Sequence, residues 1–151
     1  FERNSMKIII INGPNLNLLG KREPEIYGVE TLEDILMWLE KKIDSKDIKI
    51  DWFQSNHEGE IIDCIHNAIG KFDGILINPG AYTHYSYAIR DAISGVGIPT
   101  VEVHLSDISN REEFRKISVI ESVCIHSVMG MGKKGYLEGI QFLRDFLTSK
   151  K

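Results

Sequence analysis

An arginine and a tyrosine stand five positions apart in the stretch "REPEIYG" (22–28). An isolated tyrosine has a pKa near 10, so about one phenol in a thousand is ionised at neutral pH. A cation beside the phenol favours ionisation, whereas burial alone opposes it. Lowering the pKa of the phenol by about three units, to neutral pH, takes roughly 4 kcal/mol. One guanidinium in a partly desolvated site supplies most of that free energy. Arg22 and Tyr27 therefore indicate a phenolate base on a loop that closes to exclude water. The alternative is a tyrosine that only caps a crevice.

A second candidate is the histidine that ends "TVEVH" (100–104). Glu102 lies two residues before His104 and hence on the same face of a strand. Its carboxylate would orient the imidazole or favour its charged form. The pattern leaves two interpretations of His104 open, an acid/base group and a satisfied surface histidine. His84 likewise closes a loop after a strand, whereas His66 and His126 are expected to be structural.

Polar loops offer further binding groups. The amides of "NGPNLN" (12–17) either satisfy turn backbones or hold a water or a carbonyl group. The backbone N–H groups of "HLS" (104–106) precede a predicted helix start and could hold a carboxylate. Arg111 and Arg115 are four apart and would share a helical face. Arg115 is the candidate cation for an acidic substrate, and Arg111 is a candidate for a surface ion pair.

The segment "GMGKKG" (130–135) matches the dinucleotide-binding pattern G-x-G-x-x-G. That pattern requires an acidic residue on a second strand about 20 positions later, but only 16 residues follow Gly135 and they look helical. The glycines are therefore expected to let the last helix turn and pack closely. A flavodoxin-like module that binds phosphate or a nucleotide here is the rival interpretation. No metal is expected, because the histidine and cysteine spacings do not resemble a set of three or four convergent ligands.

Composition bounds the class of protein. The chain has 151 residues, net charge −4 and a pI near 5.7, which give no general attraction to nucleic acid or to anionic membranes. An anionic substrate therefore needs a local positive site. Cys64 and Cys124 show no disulfide or metal pattern and are expected to be buried thiols in the reducing cytoplasm. No signal peptide or membrane span is visible. "FERNS" (1–5) is expected to be a cloning remnant, and residues 6–151 to form one domain.

Strand-like and helix-like patterns alternate along the chain. Five such units predict a parallel sheet covered on both faces, because right-handed crossovers place helices there. We expect an α/β flavodoxin-like three-layer sandwich with a five-stranded parallel sheet in the order 2-1-3-4-5. Ligands of such sheets bind beyond the carboxyl ends of the strands. Strands are predicted at 7–11, 48–53, 74–77, 100–104 and 123–128, and helices at 31–43, 60–70, 84–94, 111–117 and 136–147.

Several long motifs, in one order along the chain, carry a resemblance to a known family. They are "NGPNLNLLGKREPEIYG", "FQSNHEGEIID", "NPGAYTHYSYAIRDA", "PTVEVHLSDISNREEFR" and "GYLEGI". This set resembles the type II 3-dehydroquinate dehydratases, which are flavodoxin-like enzymes of the shikimate pathway. The resemblance implies the conversion of 3-dehydroquinate to 3-dehydroshikimate without a cofactor or a metal. It also implies a homo-oligomer, a dodecamer built as a tetramer of trimers.

The resemblance implies a role for each matching residue. Tyr27 matches the general base that takes a proton from C2, and Arg22 matches the lid arginine that lowers its pKa. Asn15 matches the amide that holds a water against the developing enolate oxygen. His104 matches the general acid that protonates the departing C1 hydroxyl, and Glu102 matches its partner. The implied reaction is an anti elimination of water through an enolate.

The remaining matches are to groups that bind substrate. Asn78, His84 and Arg115 match ligands of substrate hydroxyls, Leu105 and Ser106 match the backbone N–H pair that takes the carboxylate, and Asp91 matches a residue that reaches a neighbouring subunit's site. The type I enzymes use a lysine Schiff base instead, and no lysine here has that context. A homologue that assembles but has lost turnover is a third interpretation, which the presence of the acid and base residues disfavours.

Overall fold

Five parallel strands form one sheet in the computed structural model, which describes residues 5–21 and 23–150 apart from the side chains of Ile26 and Tyr27. The strands are β1 (Met6–Asn12), β2 (Ile48–Gln54), β3 (Gly74–Asn78), β4 (Thr100–His104) and β5 (His126–Met129). Their order is β2-β1-β3-β4-β5, and every pairing is parallel. The predicted flavodoxin-like arrangement is therefore confirmed.

Helices cover both faces of the sheet, and the isoleucine run of β1 shows why. Ile8 and Ile10 pack into the apolar cluster on one face, and Ile9 and Ile11 pack into the cluster on the other. Successive strand residues point to opposite faces, so a strand covered on both sides has no polar alternation. The helices are α1 (Pro24–Tyr27), α2 (Leu32–Lys42), α3 (Glu58–Asn67), α4 (Tyr87–Val96) and α5 (Lys134–Ser149). None of the helices in the described part of the chain is long and apolar enough to cross a membrane.

The start of α2 is set by the predicted capping box. The Thr31 hydroxyl accepts a hydrogen bond from the Asp34 backbone N–H at 3.1 Å, and the Asp34 carboxylate accepts one from the Thr31 N–H at 3.0 Å. Two backbone donors that the helix leaves unpaired are thereby satisfied. This cap fixes where α2 begins after α1, whose last residue is Tyr27.

The predicted helix over 111–117 and the predicted start of the fifth strand are wrong. The helix expected over 111–117 is replaced by two 3-10 turns, Ile108–Asn110 and Glu113–Lys116. Extended backbone at Arg111 (φ −111°, ψ −163°) separates the turns, so Arg111 and Arg115 do not share a helical face. The fifth strand begins at His126, because the preceding residues form a 3-10 turn over Glu121–Val123.

The loops after β1 and β3 are pressed backbone against backbone. The Gly13 N–H donates to the Asn78 carbonyl at 2.7 Å, and a Cβ at Gly13 would lie 2.4 Å from the Pro79 carbonyl oxygen. Gly80 has φ +59°, and a Cβ there would lie 3.0 Å from the Pro14 carbonyl oxygen. Only glycine allows this approach without moving one loop. The contact holds the polar ends of two neighbouring strands together at the carboxyl edge of the sheet.

Cys64 and Cys124 are free, half-buried thiols. Burial raises the pKa of Cys64 to about 11. Burial, with the negative charges of Glu102 and Glu121, raises the pKa of Cys124 to about 12. Both thiols therefore stay protonated at neutral pH, and reactivity of a cysteine depends on its thiolate.

Candidate active site

A crevice of about 130 Å³ opens at the carboxyl edge of the sheet, between the loops that follow β1, β3 and β4. Its position is the one that the topology predicts for a ligand. Seven of the predicted site residues line it: Asn15, Asn78, His84, His104, Leu105, Ser106 and Arg115. Residues from three separate strand ends thus meet around one space.

The crevice is lined by two arginines although the chain as a whole has a net charge of −4. Arg111 and Arg115 both line it, and no aspartate or glutamate does so among the described residues. The sequence suggested only a surface ion pair for Arg111. Its position in the lining of the crevice was therefore not predicted. The local charge suits an anionic ligand, which the overall charge would repel.

His104 is held by a carboxylate at the end of β4. Glu102 is fully buried, His104 is 5% exposed, and Nε2 of the imidazole lies 2.5 Å from Oε2 of the carboxylate. A carboxylate can only accept, so Nε2–H donates to Glu102 and Nδ1 is the remaining ring nitrogen. The predicted contact between the two side chains on one strand face is confirmed.

Two hydroxyl groups share Glu102 with His104. The Thr83 hydroxyl donates to Oε2 at 2.5 Å, and the Ser118 hydroxyl lies 2.9 and 2.8 Å from the two carboxylate oxygens. Burial opposes ionisation of the carboxyl group most strongly, but the interactions with His104, Thr83 and Ser118 together outweigh it and lower the pKa of Glu102. Glu102 is therefore a buried anion that three donors stabilise. Sequence analysis missed Thr83 and Ser118.

This network makes the protein sensitive to acid. The pKa of Glu102 is lower in the folded protein than its ordinary value of 4.5, so its contribution to stability is complete above that value. The contribution is lost as the pH falls through the lower, folded-state pKa. We expect Glu102→Gln to remove this part of the acid dependence. Denaturant unfolding at a series of pH values from about 3 to 6 measures it. Equal slopes of stability against pH in the two proteins would contradict the assignment.

His84 is oriented as a hydrogen-bond acceptor toward the crevice. Its Nδ1 lies 2.8 Å from the Ile117 carbonyl oxygen, and a carbonyl only accepts, so Nδ1 carries the proton and Nε2 has a free lone pair. Burial lowers the pKa of His84, and the nearby His104 and Arg115 lower it further. The neutral ring can therefore accept a hydrogen bond from a hydroxyl of a ligand.

Arg115 has an unused donor inside the protein. Its Nε is buried and has no hydrogen-bond partner among the described residues. Glu112 lies 3.7 Å from Nε, too far for a hydrogen bond. The guanidinium stacks over Phe114, with 4.8 Å between Cζ and the ring centroid. A buried donor of this kind is costly to leave unpaired, and a ligand oxygen in the crevice could satisfy it.

Asn15, in the lining of the crevice, has a left-handed backbone conformation. Asn15 has φ +69°, in the left-handed region that asparagine tolerates, and its N–H donates to Asn56 Oδ1 at 3.0 Å.

A Cβ at Gly135 would lie 3.2 Å from a Val103 methyl group. The glycine therefore lets α5 pack close to β4, as predicted for "GMGKKG".

Four predicted site residues are absent from this lining, and the structure does not describe the side chains of two of them. Arg22 lies outside the described residues, as does the side chain of Tyr27, whose backbone ends α1. Glu102 contacts His104 and does not line the crevice. Asp91 is exposed on α4 and does not line the crevice of its own chain.

Comparison with known proteins agrees with this geometry. The "Dehydroquinase class II" family matches residues 6–144. The chain is 55% identical to a 3-dehydroquinate dehydratase of Caldicellulosiruptor saccharolyticus, over 93% of this chain and 98% of the relative. It is 53% identical to one of Clostridium perfringens, over 96% and 100%. The crystal structure of a type II dehydroquinase from Butyrivibrio crossotus is similar, with a TM-score of 0.89, 54% identity and coverage of 92% of this chain and 97% of that one. Since both the motifs and the fold match over nearly the whole chain, it belongs to the class II dehydroquinase family.

Proposed function

We propose that this chain dehydrates 3-dehydroquinate to 3-dehydroshikimate by anti elimination through an enolate, with Tyr27 as the base and His104 as the acid. Membership of the class II dehydroquinases and the names of the curated relatives support the dehydration, and make the chain a lyase. The observation that carries the acid assignment is the buried pair of His104 and Glu102 at the edge of a crevice.

The elimination has two proton transfers. The C3 ketone of the substrate makes the C2 proton acidic, and the Tyr27 phenolate removes it. The electron pair of the C2–H bond forms an enolate, whose oxygen is stabilised by a water that Asn15 holds. When the enolate collapses, the C1–O bond breaks and His104 gives its proton to the departing hydroxyl. Water and the enone leave, and the proton returns from Tyr27 to His104 through solvent.

Glu102 and Arg22 prepare the acid and the base. Glu102 accepts a hydrogen bond from Nε2–H of His104, so the acid is the imidazolium, and Nδ1 is the nitrogen whose proton can reach the leaving hydroxyl. Arg22 places a positive charge near Tyr27 and favours the phenolate, as one nearby opposite charge does for any acid. General acid–base catalysis of this kind contributes typically 10²- to 10⁴-fold per group, or about 3–5 kcal/mol.

Substrate binding uses polar groups that line the crevice. The substrate carboxylate is assigned to the backbone N–H groups of Leu105 and Ser106, in a crevice that has arginines but no carboxylates among its described lining residues. The buried Nε of Arg115 donates to one substrate hydroxyl, and the neutral His84 accepts from another. Asn78 binds a further hydroxyl.

The position of Asp91 bears on the assembly of the chain. We propose that residues 6–151 form one catalytic domain and that the chain assembles in the cytoplasm as a dodecamer, a tetramer of trimers. The exposure of Asp91, away from its own crevice, fits a residue that reaches the site of a neighbouring subunit. Sedimentation of the purified protein measures the mass of the assembly directly, and a monomer would contradict the proposal.

An ultraviolet assay tests the reaction. We expect protein treated with a chelator, with 3-dehydroquinate as the only other reagent, to generate the absorbance of the conjugated enone. We also expect borohydride to leave the activity unchanged, because no imine forms. Absence of turnover would reject the function, and covalent trapping of substrate on a lysine would reject the mechanism. Titration with FMN or nucleotides is expected to show no saturable binding.

A further inference from the structure

Three buried polar side chains form a hydrogen-bonded chain beneath the crevice. Asn12 and Tyr136 are fully buried, and Asn78 is 3% exposed. The Tyr136 hydroxyl lies 2.6 Å from Asn12 Oδ1 and 3.1 Å from Asn78 Nδ2. These residues come from the ends of β1 and β3 and from the first turn of α5. Asn78 is the member that lines the crevice.

Backbone groups at both ends of this chain set its direction. The Phe53 carbonyl lies 3.3 Å from the Asn12 amide nitrogen and can only accept, so the Nδ2 group of Asn12 faces it. Oδ1 of Asn12 must then accept from the Tyr136 hydroxyl, and the hydroxyl oxygen accepts from Asn78 Nδ2. At the far end the Gly80 N–H lies 3.2 Å from Asn78 Oδ1 and can only donate. A flipped Asn12 amide would place its oxygen against the Phe53 carbonyl oxygen, and a flipped Asn78 amide would place its N–H group against the Gly80 N–H.

The chemical state of Tyr136 suits this relay. Burial raises the pKa of Tyr136, so the hydroxyl keeps its proton and can donate to Asn12 at neutral pH. Its ring packs against Trp52, with 5.8 Å between the ring centroids. The ring therefore holds a place in the core that does not depend on the hydroxyl, and the two contributions can be separated by experiment.

We propose that Tyr136 is a positioning residue, whose hydroxyl fixes the amide of Asn78 so that it presents an N–H group to the substrate. One Nδ2 proton of Asn78 is used by Tyr136 and its Oδ1 is used by Gly80, which leaves the second Nδ2 proton for a ligand oxygen. The inference rests on the proposed role of Asn78 as a substrate ligand. It adds that substrate binding depends on a tyrosine that has no contact with the substrate.

A double-mutant cycle with Tyr136→Phe and Asn78→Ala tests the proposal. We expect Tyr136→Phe to raise KM roughly fivefold to tenfold, the equivalent of one hydrogen bond, and to change kcat by less than about twofold. In the Asn78→Ala background the same change should alter KM by less than about twofold, because residues that act through one contact are not additive. Tyr85→Phe is the matched control, since Tyr85 is 59% exposed and outside the crevice. It should leave KM and the melting temperature unchanged.

A purely structural role gives a different result. Tyr136→Phe would then lower the melting temperature with an unaltered KM, or its effect on KM would add to that of Asn78→Ala; either outcome overturns the proposal. Should Tyr136→Phe fail to fold, Asn12→Ala makes the same test, because it removes the acceptor that directs the hydroxyl. An unchanged KM in Asn12→Ala then overturns the proposal. Turnover by the unmodified enzyme separates failure of this inference from failure of the proposed function.

Discussion

Replacing Tyr27 by phenylalanine is expected to lower kcat for dehydration by between about 10²- and 10⁴-fold, the usual contribution of a general base. The substitution removes only the hydroxyl that is proposed to take the C2 proton. Substrate contacts made by the crevice residues remain, so the dissociation constant of the substrate should change little. Stopped assays give kcat, and equilibrium binding of substrate to the inactive variant gives the dissociation constant. A fully active Tyr27→Phe would remove the base from the mechanism.

A second prediction concerns Arg22, the proposed partner of Tyr27. If Arg22 lowers the pKa of Tyr27, then Arg22→Ala should shift the acidic limb of the kcat/KM profile to higher pH, because less phenolate is present at a given pH. Arg22→Lys keeps a charge but loses the planar guanidinium, so a smaller shift is expected. A profile that is unaltered in Arg22→Ala would show that the phenolate does not depend on this arginine. Tyr85→Phe is the control for the Tyr27→Phe substitution described above.

His104→Ala and His104→Gln are expected to lower kcat alike, by between about 10²- and 10⁴-fold, because neither side chain can act as an acid. They should differ in stability. The glutamine amide can still donate to the buried Glu102 carboxylate, whereas alanine leaves that carboxylate without one of its donors. An unpaired buried group costs about 1–3 kcal/mol, so only the alanine variant should unfold at a clearly lower denaturant concentration.

This comparison separates catalysis from folding at one position. Retained turnover in His104→Gln would contradict the acid assignment, whatever the stability. Equal stability of both variants would show instead that Thr83 and Ser118 suffice to hold Glu102 as an anion. The measurement is denaturant unfolding at a pH near 7, where Glu102 is ionised in the folded protein.

The class of fold and the location of the site follow from the sequence. A run of four isoleucines does not suit a strand with one face exposed to solvent, so β1 had to lie inside a sheet covered on both sides. Successive βα units then make the sheet parallel and bring every strand end to one edge. That is why Asn15, His84 and His104 were grouped correctly, although up to 89 residues separate them in the chain, which is the difference between positions 104 and 15.

Shorter features were predicted less well, for local reasons. The segment from Arg111 to Lys116 has helix-forming residues, but the chain passes through extended backbone at Arg111 and forms only 3-10 turns. Similarly, β-branched residues near position 123 suggested an earlier start to β5, whereas pairing with β4 begins at His126 opposite Val101. Propensity is a weak guide where tertiary pairing decides the boundary.

The sequence alone determined the sheet, its edge and the residue types that gather there, since repeated local patterns encode them. Only the tertiary structure decided which buried donors serve Glu102 and which hydroxyl directs Asn78. Ser118 is 16 positions from Glu102, and Tyr136 is 58 from Asn78 and 124 from Asn12. Such contacts have no period along the chain. They arise when separate elements pack, because a buried polar group must find its partner wherever the fold brings one.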